Sequence, residues 1–240
     1  MTPFFVGWSG RSGLRCLGFL GPAVAAMLIG FGALAFALAV GTDDPGGGDV
    51  IGEMRIEGIL IADPYPMIVT DAGQHTVLLS GGGKRGVQAE ARPLDGKRVR
   101  AFGAHARRGD RDMLLVYELA AAPGEVPGEV IAQLREDLGT WRLTGEICDG
   151  KCVLGVMRPG NKAAHKACAN VCLIGGVPPV FVATTPVHGT RYLLMGGPDN
   201  RGLPDAFRDS TGVLRRMDGT LERIGDAIVF RTDVTKAVVP

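Results

Sequence analysis

What this chain of 240 residues lacks narrows its function before anything it contains does. Net charge is nearly absent: 26 Lys and Arg stand against 25 Asp and Glu, interspersed, for a formal +1. Nucleic-acid binding rests on basic surfaces that neutralise phosphates, so no nucleic-acid partner is expected. The chain has no G-x-x-x-x-G-K-[ST], no H-E-x-x-H and no G-x-S-x-G, which removes the common nucleotide, zinc-protease and serine-hydrolase signatures. Gly81-x-Gly83-x-x-Gly86 matches a dinucleotide pattern, but no strand–helix–strand unit follows it. It reads as a turn, and no nucleotide partner is expected. There is no C-x-x-C, and no second histidine lies close enough to the cysteines to serve as a base. The expectation is therefore a binding protein, not an enzyme.

Charge is missing altogether from residues 17–40. A helix rising about 1.5 Å per residue needs roughly 20 apolar residues to cross a hydrocarbon layer of about 30 Å, and this run supplies them. Arg11 and Arg15 precede it, and Asp43, Asp44 and Asp49 follow. Basic residues stay inside, so residues 1–16 read as cytoplasmic, 17–40 as a transmembrane helix and 41–50 as a tether. Ala35, Ala37 and Ala39 offer small-residue cleavage sites, yet a cleavable apolar core is usually about 7–15 residues and this one is longer. The expected location is the inner (plasma) membrane, single-pass, with the lipid bilayer as a partner and the remainder in the periplasm.

That remainder reads as mainly β: two small OB-like units, residues 51–119 and 141–240, joined by a linker at 120–140. Within the linker, Pro127 is placed to start a short helix running to Leu138, with Gly139 to stop it. The 37 glycines fall as turns between apolar stretches. The two units resemble each other. Arg55-Ile56-Glu57-Gly58 reads against Arg142-Leu143-Thr144-Gly145, Leu78-Leu79-Ser80-Gly81-Gly82 against Leu193-Leu194-Met195-Gly196-Gly197, and Gly96 and Gly103 against Gly212 and Gly219. The early pairs are offset by 87 residues, the Leu78–Leu193 pair by 115, and the later ones, such as Arg85 against Arg201, by 116. The second copy thus holds 29 extra residues, expected as a Cys/His-bearing helical insertion at 152–180.

The insertion carries the candidate site. From Asn161, a good N-cap, to Gly175-Gly176 the composition favours a helix, on which His165, Cys168 and Cys172 fall within about 60° of one another. Cys152 reaches them from the loop leaving the preceding strand. Three thiolates and an imidazole suit zinc or copper. Two other readings stand beside the metal site. An oxidising compartment favours disulfides, which would make the insertion a stapled surface for a membrane-protein partner. A reactive thiol would make the chain a thiol-redox protein. Cys148 takes the place of Ile61 in the first copy and reads as a small strand residue. His75, His105 and His188 are expected singly at the surface, and Arg98, Arg100, Arg107, Arg108 and Arg111 along one solvated strand edge.

Gly145-Glu146-Ile147-x-Asp149-x-x-Cys152, Gly155-Val156-Met157-x-Pro159-Gly160, His165-x-x-Cys168-Ala169-x-x-Cys172 and Gly175-Gly176-x-Pro178-Pro179 resemble a motif of uncharacterised, exported, membrane-anchored bacterial proteins. Pro64-Tyr65-Pro66 and Leu78-Leu79-x-Gly81-x-Gly83-Lys84 extend the likeness to the first unit. In that pattern an aliphatic residue stands at Cys148, which implies that Cys148 lies outside the site. The function expected from all of this is a membrane-tethered periplasmic copper- or zinc-binding protein, accessory to a membrane oxidoreductase.

Overall fold

The computed structural model describes residues 14–41, 47–70, 75–199 and 201–240. Residues 1–13 of the expected cytoplasmic segment and 42–46 of the expected tether lie outside them. The chain divides into two units, residues 1–44 and 45–240.

The first unit is helix α1 (Leu14–Gly41), with Pro22 inside it. From Gly18 to Leu38 it is apolar on every side, and Phe19, Leu28, Ile29 and Phe36 are each about 70 % exposed. A helix with no polar face suits lipid. The stretch Gly18–Leu38 is long and apolar enough to cross a membrane.

The second unit holds two closed five-stranded barrels. The first comprises β1 (Asp49–Ile61), β2 (Met67–Thr70), β3 (Thr76–Ser80), β4 (Arg98–Arg108) and β5 (Arg111–Ala121) in the order β1-β2-β3-β5-β4. The second comprises β6 (Arg135–Asp149), β7 (Pro179–Val187), β8 (Thr190–Gly196), β9 (Leu214–Ile224) and β10 (Ala227–Thr232) in the order β6-β7-β8-β10-β9. Taken strand for strand the orders are the same, with one parallel pair in each, β3–β5 and β8–β10. This is the OB-type Greek-key barrel.

Paired glycines do the same work in both barrels. A Cβ on Gly58 in β1 would strike the Val69 carbonyl of β2, and one on Gly145 in β6 would strike the Val182 carbonyl of β7. Gly103 in β4 is closed in by the Leu115 carbonyl, and Gly219 in β9 by that of Arg231. Gly96 and Gly212 both have positive φ, 70° and 67°, and donate to Leu60 and Ile147 near the ends of the first strands. Small barrels bend sharply at such positions, where only glycine lets two backbones approach so closely.

Packing has three layers. Leu60, Ile68, Leu79 and Leu114 fill the first barrel; Ile147, Phe181, Leu193 and Phe230 fill the second. Between them runs a seam where Ile59, Ile61, Met67 and Met113 meet Cys148, Val180, Leu194 and Val229. Strand alternation sorts the residues: Leu60 and Ile147 point into their barrels, while Ile61 and Cys148 line the seam. Cys148 is an apolar packing residue of that seam.

Three expectations need adjustment. The strands extend into the expected linker at both ends, and the helix between them, α3, covers only Gly128–Gln133. Gly139 does not stop a helix. It sits at φ +77° in a bulge of β6 between Asp137 and Thr140, where its amide donates to the Asp137 carboxylate at 2.9 Å. The insertion lies between β6 and β7, at residues 150–178.

The glycine packing is testable. Gly145→Ala should destabilise the protein by about 1–3 kcal/mol, because the Val182 carbonyl and the Phe181 ring leave no room for a methyl. Gly82→Ala, with nothing near its Cβ, should leave stability unchanged. Equal denaturation midpoints for the two variants would contradict this packing.

Candidate metal centre

The site begins where β6 runs out. Asp149, its last residue, is fully buried. One carboxylate oxygen accepts the Cys152 amide at 2.9 Å, which fixes a wide helical turn at Cys152–Val156. The other faces His165 Nε2 at 2.9 Å, so one side chain clamps the turn and the start of the next helix. That helix, α4, spans Lys166–Ile174 after a single 3₁₀ turn at Ala163–His165. Asn161 does not cap it. Lys162, at φ +63°, leads in, with its amide on the Glu146 carboxylate at 3.2 Å.

The short helix divides the expected four-residue set. Cys152, Cys168 and Cys172 bring their sulfurs within 4.8 Å of one another, and Asp149, Cys152 and His165 form a second group of the same size. Cys152 belongs to both. His165 precedes the α-helical turns, so the i, i+3, i+7 spacing does not apply to it, and its ring turns toward Asp149. The four described cysteines are unbridged thiols. A metal–sulfur bond of about 2.3 Å places the sulfurs of one trigonal centre about 4 Å apart, and an upper separation of 4.8 Å leaves this group close to that spacing. Soft sulfur donors suit cuprous copper and zinc.

The first barrel completes the site. The glycine-rich loop after β3 is the seat of α4. The Gly86 amide donates to the Gly175 carbonyl at 2.8 Å, and a Cβ on Gly175 would collide with the Lys84 carbonyl. Gln88 Nε2 caps the Gly176 carbonyl at 2.5 Å. Lys151, buried, donates to the carbonyls of Gly81 and Gly83. The loop thus offers carbonyls to a cation. From the same loop Lys84 Nζ reaches Cys168 Sγ at 2.9 Å and Cys172 Sγ at 3.6 Å.

This setting polarises the thiols. Hydrogen bonding from Cys152 lowers Cys172 to about 7, against the effects of burial and Asp149, and Lys84 assists. Cys152 moves the opposite way, because its proton is shared with Cys172 and it is buried beside Asp149. The hydrogen bond to Cys168 raises Lys84, while burial lowers Lys151. A thiolate next to an ammonium is the form a metal needs.

Lys84, Asp149 and Lys151 are site residues that sequence reasoning passed over, although Lys84 and Asp149 stand inside the motifs quoted above. The other histidines bring a second correction. His188 is exposed. His75 and His105 instead converge on the buried Asp112, with His75 Nε2 at 2.7 Å and His105 Nε2 at 2.5 Å from its two oxygens. His75 Nδ1 faces Asp226, in the turn between β9 and β10, at 2.7 Å. Arg111 also leaves the expected solvated edge, being 7 % exposed and bonded to Asp110 and the Asp226 carbonyl. In both sets the contact to Asp226 crosses between barrels, which a strand read singly cannot reveal, and the rest stay within the first. Comparison with protein-family models, with curated proteins and with solved structures finds no match for this chain.

The histidine bridge gives a pH dependence. Burial opposes the charge on His75, but hydrogen bonds to Asp226 and Asp112 outweigh it and raise His75. Burial likewise opposes ionised Asp112, and hydrogen bonds from His105 and His75 outweigh it and lower the carboxyl. The contribution of His75 is therefore complete below its unfolded value of about 6.5 and fades as pH rises through its higher folded value. That of Asp112 is complete above about 3.9 and fades as pH falls through its lower folded value. The difference in melting temperature between the wild type and His75→Gln should be largest near pH 5–6 and shrink above neutrality; a pH-independent difference would refute the bridge.

Proposed function

We propose that this chain is a membrane-tethered, periplasmic metal-binding protein that holds copper or zinc at Cys152, Cys168 and Cys172. The observation carrying this reading is the convergence of three unbridged sulfurs beside the Lys84 ammonium. The Asp149–His165 pair serves as the outer support, fixing the turn that presents Cys152. Such supports orient ligands without holding the ion themselves. The apolar helix and the arginines before it favour a single-pass anchor with the barrels outside the cytoplasm. On that placement the chain delivers or senses the ion, or assists a membrane oxidoreductase. We also infer that the barrels are an internal repeat; their common strand order and paired glycines support this. The insertion would then be chemistry added to one copy of a duplicated scaffold.

A thiol-redox role is the second reading, favoured by the lowering of Cys172 to about 7. One titration separates the two. The reduced full chain in detergent should take up one Zn(II) or Cu(I) per molecule, and Cys172→Ser should abolish uptake. His165→Gln should weaken it by about 10–100-fold. Cys148→Val should leave it nearly unchanged, since that residue packs in the seam. Uptake should release protons and weaken below neutral pH, because thiolates must form first. Reduced protein that takes up neither ion, yet forms a Cys152–Cys172 bridge with mild oxidants, would transfer the assignment to the redox reading.

A further inference from the structure

Beside the three thiols lies a fourth sulfur. Gly155, at φ +135°, turns the chain back after the Cys152 turn, and its Cα is pressed against the backbone of Gly48 and Asp49, where a Cβ would not fit. Met157 follows in extended conformation and comes to rest over the cluster, with Sδ 3.9 Å from Cys168 Sγ. Of the three cysteines only Cys168 is partly exposed; Cys152 and Cys172 are buried, and Met157 is 46 % exposed. A cleft of about 320 Å³, lined in part by Arg108, Cys152, Met157 and Gly160, opens along the same edge. The sulfurs are therefore graded from solvent inward: Met157, then Cys168, then Cys152 and Cys172.

A thioether is neutral, needs no deprotonation and is soft. It binds cuprous copper well, whereas zinc sites draw on thiolate, imidazole and carboxylate. The Met157–Cys168 separation is close to the roughly 4 Å expected of two sulfurs sharing one ion through bonds of about 2.3 Å.

Resting on the metal-binding reading above, we propose that Met157 is the outermost ligand of the site: it receives a cuprous ion together with Cys168 and selects that ion over zinc. The ion then passes inward to Cys152 and Cys172, and Lys84, next to Cys168, balances the thiolate charge at the rim. Because Met157 adds a donor without adding charge, its contribution is independent of pH, unlike that of the thiols.

The test uses the reduced full chain in detergent under anaerobic conditions, titrated with Cu(I) against a chromophoric cuprous chelator and separately with Zn(II) against a zinc indicator. Met157→Leu keeps the volume of an exposed side chain and should fold normally. It should slow Cu(I) transfer from the chelator or lower Cu(I) affinity by tenfold or more, and leave Zn(II) affinity within twofold. Protein carrying selenomethionine should show a copper–selenium distance in X-ray absorption that is absent from Met157→Leu. If the wild type binds Cu(I) but the variant matches it within twofold and copper sees no selenium, the role of Met157 is overturned while the thiol site stands. If the wild type binds neither ion, the underlying reading falls with it.

Discussion

The candidate site depends on one contact between the barrels: the ammonium of Lys151, from the insertion of the second, buried against the carbonyls of Gly81 and Gly83 in the first. An unpaired ammonium in the interior costs several kcal/mol, so the turn carrying Lys151 is stable only where those carbonyls accept it. The neighbouring residue Cys152 is fixed with it. From the same glycine loop come Lys84 over the sulfurs and the Gly86 amide under the end of α4. Neither barrel holds the site alone. The second provides the sulfurs, and the first provides the cation and the seat.

That division explains why glycine is concentrated where it is. Gly86 and Gly175 stand where two backbones touch, and a methyl at either would separate the loop from the helix. The G-x-G-x-x-G spacing follows from this contact and has no need of a phosphate. In nucleotide loops the amides face the ligand, whereas here the carbonyls of Gly81 and Gly83 face Lys151.

Residues whose roles are set within one strand or one turn were legible in the sequence. Gly58 and Gly145 announced a shared strand pattern, and the equivalence of Cys148 with Ile61 placed that cysteine among packing residues, as the seam does. The apolar run before the barrels and the mainly β character were legible for the same reason. The convergence of the three sulfurs was half legible: their spacing put Cys168 and Cys172 on one face, but the late start of α4 removed His165 from it. What could not be read were pairings set by docking one barrel on the other. Lys84 lies 84 positions from Cys168, and His75 lies 151 from Asp226. No local periodicity connects such residues, and His75 read in its own strand or turn looked like an ordinary surface side chain.

The two inter-barrel clusters bear differently on the seam. The histidine bridge joins Asp112 of the first barrel to Asp226 of the second through one imidazole, so its strength follows the proton on His75. The lysine contacts hold the site side of the seam through the carbonyls of Gly81 and Gly83 and the sulfur of Cys168. A rise in pH weakens the histidine side of the seam. Deprotonation of Cys172 over the same range strengthens its attraction to Lys84. The two effects act in opposite directions on the two sides of the seam. In a chain of almost no net charge, any thiolate formed at this candidate site depends on such local pairing, because the global field offers no relief for accumulated negative charge.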